Sequence, residues 1–194
     1  MSKSAFKPGN MLYPLPAVMV SCQYNGGVDP ECKNPALQGK PNIITVAWAG
    51  TVCTNPPMLS ISVRPERYSY HMIEQSGEFV VNLTTEALVS ATDYCGVRSG
   101  RDIDKFKEMH LTPLPSREIS VPGIAESPVN IECRVRQILP LGSIQVRGIF
   151  REVMLWYPYR EGEEQRFFLS PAVSREEAVK RADALTKGLF GFKE

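Results

Sequence analysis

Of the short motifs that announce an enzyme, this sequence carries none. It has no G-x-G-x-x-G and no G-x-x-x-x-G-K-S/T, so neither a Rossmann dinucleotide site nor a P-loop is indicated. The G-x-S-x-G elbow of the α/β-hydrolases is missing as well. Histidine is scarce: His71 and His110 are the only two, and they lack metal-ligand spacing, which argues against a zinc enzyme. Each reads as a surface or packing residue. Charge of one sign is not in excess, with 22 Lys+Arg against 21 Asp+Glu and a net charge of +1. A nucleic-acid binder would carry a basic domain or stripe, so that class is disfavoured, although a local cationic pocket for a small anion is not. Long apolar runs are lacking too. The longest, Ile43 to Cys53, is broken by Thr45, Gly50 and Thr51 and falls far short of the ~20 residues of a membrane helix. The opening MSKSAFKPGN leads into no apolar signal region. The five cysteines form no C-x-x-C pair, which fits reduced thiols better than a disulfide scaffold. The expectation is a cytoplasmic protein with no membrane and no nucleic-acid partner.

What is present suits a folded chain. The 194 residues, 43% of them hydrophobic, read as a single domain that needs no metal or disulfide to bury its core. Ala17–Cys22 and Ile43–Trp48 are β-favouring runs. Between Met58 and Arg64 the alternation is clean, with Leu59, Ile61 and Val63 on one face and Ser60, Ser62 and Arg64 on the other, the period of a half-buried strand. Pro56-Pro57 bars a helix before it. Glu78–Leu83 is a further strand, and Ile131, Cys133 and Val135 alternate with Glu132, Arg134 and Arg136, a strand with one wet face. Residues 144–156 continue in β-rich composition, and residues 111–128, rich in proline and serine, read as a long surface connection.

Helices are few. Pro65 to Gln75 stops before Gly77, Thr84 or Thr85 caps a helix running to about Asp93 and ended by Cys95-Gly96, and Asp102 to Met109 is a third. The strongest helical pattern comes last: Ser174 to Glu177 is a capping box, and Ala178, Val179, Ala182 and Leu185 make a stripe that Gly188 terminates. The fold class is therefore mainly β with inserted helices and a C-terminal helix, an antiparallel barrel or sandwich.

Three regions carry candidate chemistry. In Asn42 to Thr51 small, hydrogen-bonding residues end a buried-looking strand, which lets backbone groups approach a flat ligand, with Trp48 as an aromatic wall; the plain alternative is a strand end with a core tryptophan. Arg64, Arg67 and Ser69 flank a helix start, where backbone donors and the dipole favour an anion. Ser99 to Phe106 is a polar loop feeding a short helix, with Lys105 and Phe106 placed to present a cation beside an apolar plate. Cys53 and Cys95 are either reactive thiols or small buried hydrophobes.

Taken in order, N-I-I-T-V-A-W-A-G-T, N-P-P-M-L-S-I-S-V-R-P-E-R-Y-S, G-E-F-V-V-N-L and C-G-V-R-S-G-R-D-I-D-K-F make a set that resembles the flavin reductase-like family, within it the flavoredoxin branch, over about Pro14 to Gly142. The resemblance implies a split β-barrel of Greek-key type that binds FMN, as a homodimer. It further implies that Thr45, Ala47, Trp48, Ala49 and Gly50 approach the flavin ring and ribityl chain. Cys53 and Thr54 would lie beside the ring, Arg64, Arg67 and Ser69 near the phosphate, and Lys105 and Phe106 at the flavin as the family's K-F pair. The chain departs from the family after Ser143, where Ile144 replaces a common histidine and Arg151-Glu152-Val153 stands where a G-E-V or A-E-V triplet is usual. Only Leu189 to Phe192 resembles the usual ending. The implied function is an FMN-dependent oxidoreductase passing electrons from NAD(P)H or a small ferredoxin-like protein to an acceptor. In such a site the cofactor performs the chemistry, so no catalytic side chain is expected. Two alternatives stay open on sequence: a flavin-binding electron carrier without its own turnover, and a cofactor-less barrel acting as an interaction protein.

Overall fold

The period-two alternation of the first strand sends side chains into two different cores. In a computed structural model, which describes residues 14–140 and, as backbone, residue 141 and the strand segments 144–147, 153–156 and 166–169, β1 (Val18–Cys22) is buried along its whole length. Val18, Val20 and Cys22 face one core and Met19 the other. Its neighbour β2 (Asn42–Val46) does the same, with Ile44 and Val46 on the first side and Ile43 on the second. A sheet covered on both faces needs apolar residues on both, which is why these runs look continuous in sequence.

That sheet is antiparallel, in the order β2-β1-β5-β8, with β5 spanning Glu78–Asn82 and β8 spanning Asn130–Arg134. A second antiparallel sheet has the order β3-β4-β10-β9, from β3 (Ala49–Thr54), β4 (Pro57–Val63), β9 (Ile138–Leu141) and β10 (Ile144–Arg147). Two-stranded pairs join β6 (Pro113–Leu114) to β7 (Gly123–Ile124) and β11 (Val153–Trp156) to β12 (Arg166–Leu169). Ile61 and Val63 of β4 complete the first core together with Phe79 and Val81 and with Met72 and Ile73 of α1 (Ser69–Ser76). The second core lies under α2 (Val89–Val97) and α3 (Lys105–Glu108), which supply Ala91, Cys95 and Phe106 against Met19, Ile43 and Ile124.

Most expected elements are present, with shifted ends. The helix expected from Pro65 begins at Ser69, because residues 65–68 form turns first; its stop holds, with Gly77 at φ 68°. The second helix runs through Gly96 to Val97 instead of ending there, and Thr84 spends its hydroxyl on the Ala17 carbonyl (2.8 Å) rather than on a cap. Residues 49–54 form a strand of their own. The segment 111–128 is not a surface connection: Val121 and Ile124 are fully buried, and the Glu132 carboxylate of the supposedly wet face of β8 accepts the Arg117 and Glu118 N–H groups at 3.0 and 2.9 Å. The expected C-terminal helix from Ser174 to Gly188 and the Leu189–Phe192 ending lie outside the described residues.

Ile61, 0% exposed, links the second sheet to the first core. Ile61→Ala leaves a cavity between them and is expected to lower unfolding free energy by about 2–5 kcal/mol, read from urea denaturation.

Candidate functional site

The chain passes from one sheet to the other at Ala47-Trp48. There β2, an outer strand of the first sheet, gives way to β3, an outer strand of the second. The Trp48 carbonyl accepts the Ser62 N–H at 2.9 Å, which pins the crossover to β4. Two cavities open beside it, and Ile44 and Arg67 are walls of both. The outer one, about 380 Å³, is lined by Ile44 to Trp48 and by Ser62, Val63, Arg64 and Arg67. The inner one, about 210 Å³, lies between β2, the start of α1 and the loop after α2.

Four cations and one carboxylate line the inner cavity: Arg67, Arg98, Arg101 and Lys105 against Glu66. Lys105 is 3% exposed, and its Nζ donates to the carbonyls of Ile43 (2.6 Å) and Cys95 (2.9 Å). An ammonium has three donors, so one is left over. Among the described residues no carboxylate stands within ion-pair distance of it. Burial pulls the Lys105 ammonium down to about 8; the Cys95 and Cys22 thiols oppose that and Arg67 adds to it. Its place is set by Asp104, which caps α3 by accepting the Lys107 N–H at 3.2 Å and is held by Lys40 at 2.7 Å. Burial would raise the Asp104 carboxyl, but Lys40 and the Lys107 N–H outweigh it and hold it below the usual carboxylate range.

Ser69, the first residue of α1 and 2% exposed, accepts from Asn42 Nδ2 at 2.9 Å. Asn42 Oδ1 is buried without a partner. Its amide lies so close to Gly100 that a Cβ there would meet Oδ1 at 2.2 Å. Arg67 donates to the Gly96 carbonyl at 2.5 Å, and Gly96 packs on Thr45. Burial pushes the Cys95 thiol up to about 11 and the Cys22 thiol up to about 12, so Cys95 is a packing residue and not a reactive thiolate.

Of the residues singled out in sequence, the structure brings Thr45, Ala47, Trp48, Arg64, Arg67, Ser69 and Lys105 to the two cavities. Thr45 also donates its hydroxyl to the Thr92 carbonyl, anchoring β2 to α2. Ala49 and Gly50 continue into β3, and Cys53 and Thr54 lie at its far end; none of the four lines either cavity. Phe106 does not form an apolar plate beside Lys105. It is 4% exposed in the second core and lines neither cavity. Sequence reasoning missed Asn42, Tyr68, Arg98 and Arg101 as cavity residues. Their only signal was membership of the quoted segments.

Gly100→Ala drives a methyl into the Asn42 amide and is expected to weaken anion binding about tenfold, a loss of roughly 1.4 kcal/mol, measured by sulfate titration. Lys105 gives a second test. Ordinary lysine titrates near 10.5 and Lys105 near 8, so between those values the unfolded chain holds the extra proton and stability rises with pH. Sulfate affinity should fall over the same interval. Urea denaturation and sulfate titration from about pH 7 to 11, each against Lys105→Met, are expected to diverge in this way.

Known proteins share the fold described above. A protein of Archaeoglobus fulgidus with no assigned function is 34% identical over 96 residues, half of this chain and 54% of that protein, so the match spans about half the length of that relative. Among solved structures, flavoredoxin of Desulfovibrio vulgaris superposes with a TM-score of 0.65 at 22% identity, over 90% of this chain and 97% of that one. A putative flavin reductase with a split barrel domain from Shewanella frigidimarina gives 0.60 at 17%, over 84% and 71%. The fold is the split β-barrel. The sequence pattern of the flavin reductase like domain matches residues 11–149, and with that match over most of its length the chain belongs to the flavin reductase-like family.

Proposed function

We propose that the chain, one domain over its 194 residues, is a cytoplasmic FMN-dependent oxidoreductase of the flavin reductase and flavoredoxin type. Electrons pass from NAD(P)H or a small ferredoxin-like protein, by way of bound FMN, to an acceptor. The observation that carries this reading is the buried Lys105 ammonium, which has two carbonyl partners, a donor to spare and Arg67 nearby. A buried ammonium with an unused donor is costly unless an anion joins it. A phosphate monoester supplies two negative charges and several acceptors. The residues fit the group: the cationic cavity adjoins one walled by Ile44, Val46, Ala47, Val63 and Trp48, of a kind suited to a planar ring.

FMN, when bound, supplies the redox chemistry that no side chain here supplies. The chain's own residues bind and orient. Arg67, Ser69 and Lys105 would hold the phosphate. Thr45 to Trp48 would wall the ring, with Arg64 at the same cavity. For Ala49, Gly50, Cys53 and Thr54 the proposed contacts rest on the family resemblance alone. The proposal includes a homodimer, supported by the exposed Val52 and Leu139 side chains on the outer strands of the second sheet.

Arg67→Ala should weaken FMN binding about 10- to 100-fold, the loss of one charged hydrogen bond, read by flavin fluorescence. The FMN-loaded protein should bleach anaerobically with NADH, NADPH or reduced ferredoxin. Bleaching by none of the three overturns the redox assignment, and repeated turnover with an added acceptor separates an enzyme from a carrier.

A further inference from the structure

Beside the inner cavity lies a cluster that the proposed function does not use. His71, on α1, has Nε2 2.9 Å from Asp29 Oδ1 and Nδ1 3.4 Å from Glu31 Oε2. The same Glu31 oxygen accepts from Arg101 at 2.6 Å, and Arg101 is part of the cavity wall, its guanidinium 5.5 Å from the Tyr68 ring centre. The other groups facing the imidazole are the rings of Tyr68 and Tyr24, 5.0 and 5.8 Å away. Burial would raise the Asp29 carboxyl, but the Tyr68 hydroxyl (2.7 Å), the Glu31 N–H (2.9 Å) and His71 outweigh it and hold Asp29 below the usual carboxylate range.

An ionised Asp29 can only accept, so Nε2 carries a proton in either state of the ring. In the neutral ring Nδ1 is then a bare acceptor aimed at a carboxylate, and it makes no hydrogen bond. Glu31 then belongs to Arg101 alone, and that guanidinium is neutralised. In the imidazolium Nδ1–H becomes a second cationic donor facing the Glu31 oxygen that accepts from Arg101, shares the charge of that carboxylate and adds a positive charge beside the cavity.

We propose that His71 is a positioning residue for the anion cavity: held between Asp29 and Glu31, it sets through Glu31 how far the charge of Arg101 is neutralised, and its protonation leaves that charge less compensated and more available to the bound anion. The proposal rests on the inner cavity being the phosphate site of the preceding section. Binding therefore tightens when the His71 ring is protonated.

The test measures Kd for FMN and for sulfate at about pH 5.5 and 7.5, in the wild-type chain, His71→Gln and Glu31→Gln. Sulfate keeps its double charge across this range, unlike the flavin phosphate, and Lys105, near 8, stays largely protonated. Gln at 71 retains a donor for Asp29. Wild-type sulfate affinity should be about fivefold higher at the lower pH, the size of a modest site-to-site coupling. His71→Gln should abolish that dependence. Glu31→Gln should bind about fivefold more tightly at the higher pH, and this gain should vanish when Arg101→Ala is added. A wild-type pH profile in His71→Gln, or no gain in Glu31→Gln, overturns the proposal. Sulfate binding with the expected profile but no FMN binding keeps His71's role and discards the flavin reading. FMN binding that ignores His71 does the reverse, and binding of neither anion sinks both.

Discussion

The arrangement around the cavities depends on one buried cation. Lys105 reaches from α3 to the Ile43 carbonyl on β2 and the Cys95 carbonyl on α2. It thereby ties an outer strand and two helices to a single ammonium. Carbonyl oxygens offset part of the cost of desolvating that charge but do not neutralise it. The same contact that fixes β2 also leaves net positive charge in a place water reaches poorly. On the proposed reading structure and affinity for an anion therefore share one cause, and it is burial that pulls the Lys105 ammonium down to about 8.

Around that cation the polar groups are arranged with little slack. Asn42 spends its amide nitrogen on Ser69 and presses its oxygen on Gly100, so β2, α1 and the loop after α2 meet at a point where no side chain fits on the loop. Asp104 caps the helix that carries Lys105 and is itself held by Lys40. These contacts keep rotamers fixed before any ligand arrives, which reduces the ordering cost of binding. The outer cavity differs: Trp48 is 36% exposed and Ala47 is open to solvent.

The sequence made the local rules legible and the distant ones illegible. The alternation of Leu59, Ile61 and Val63 marked β4, and Gly77 marked the end of α1, because each depends on neighbours a few residues away. Thr45, Arg67, Ser69 and Lys105 were recognisable at the cavities through their motifs. The strand at 49–54 was not read as a separate element. Its residues are mostly exposed and small, and its pairing with β4 rather than its composition makes it a strand. Glu132 looked solvent-facing because its two backbone donors come from a loop that only the fold brings near. Phe106 looked like a ligand plate beside Lys105, yet the α3 backbone turns consecutive side chains about 100° apart, from the period of 3.6 residues per turn. The first meets the cavity and the second the core. The cluster of Asp29, Glu31, His71 and Arg101 joins residues dozens of positions apart, which no spacing rule reveals.

The two ends of the site face different demands, and the fold meets them with different materials. An anion anchor gains from burial, since a low dielectric strengthens attraction to fixed charges; on the proposed reading it sits between the first sheet and the helices, where Ser69 and Lys105 are almost fully covered. A ring that must exchange electrons with another molecule gains from access. On the proposed reading it lies where the two sheets part, walled by strand-edge backbone and Trp48. On that same reading, a charged half inside and a reactive half at the opening would separate tight binding from substrate access, so changes in the loops and outer strands could alter the electron donor without disturbing the anchor.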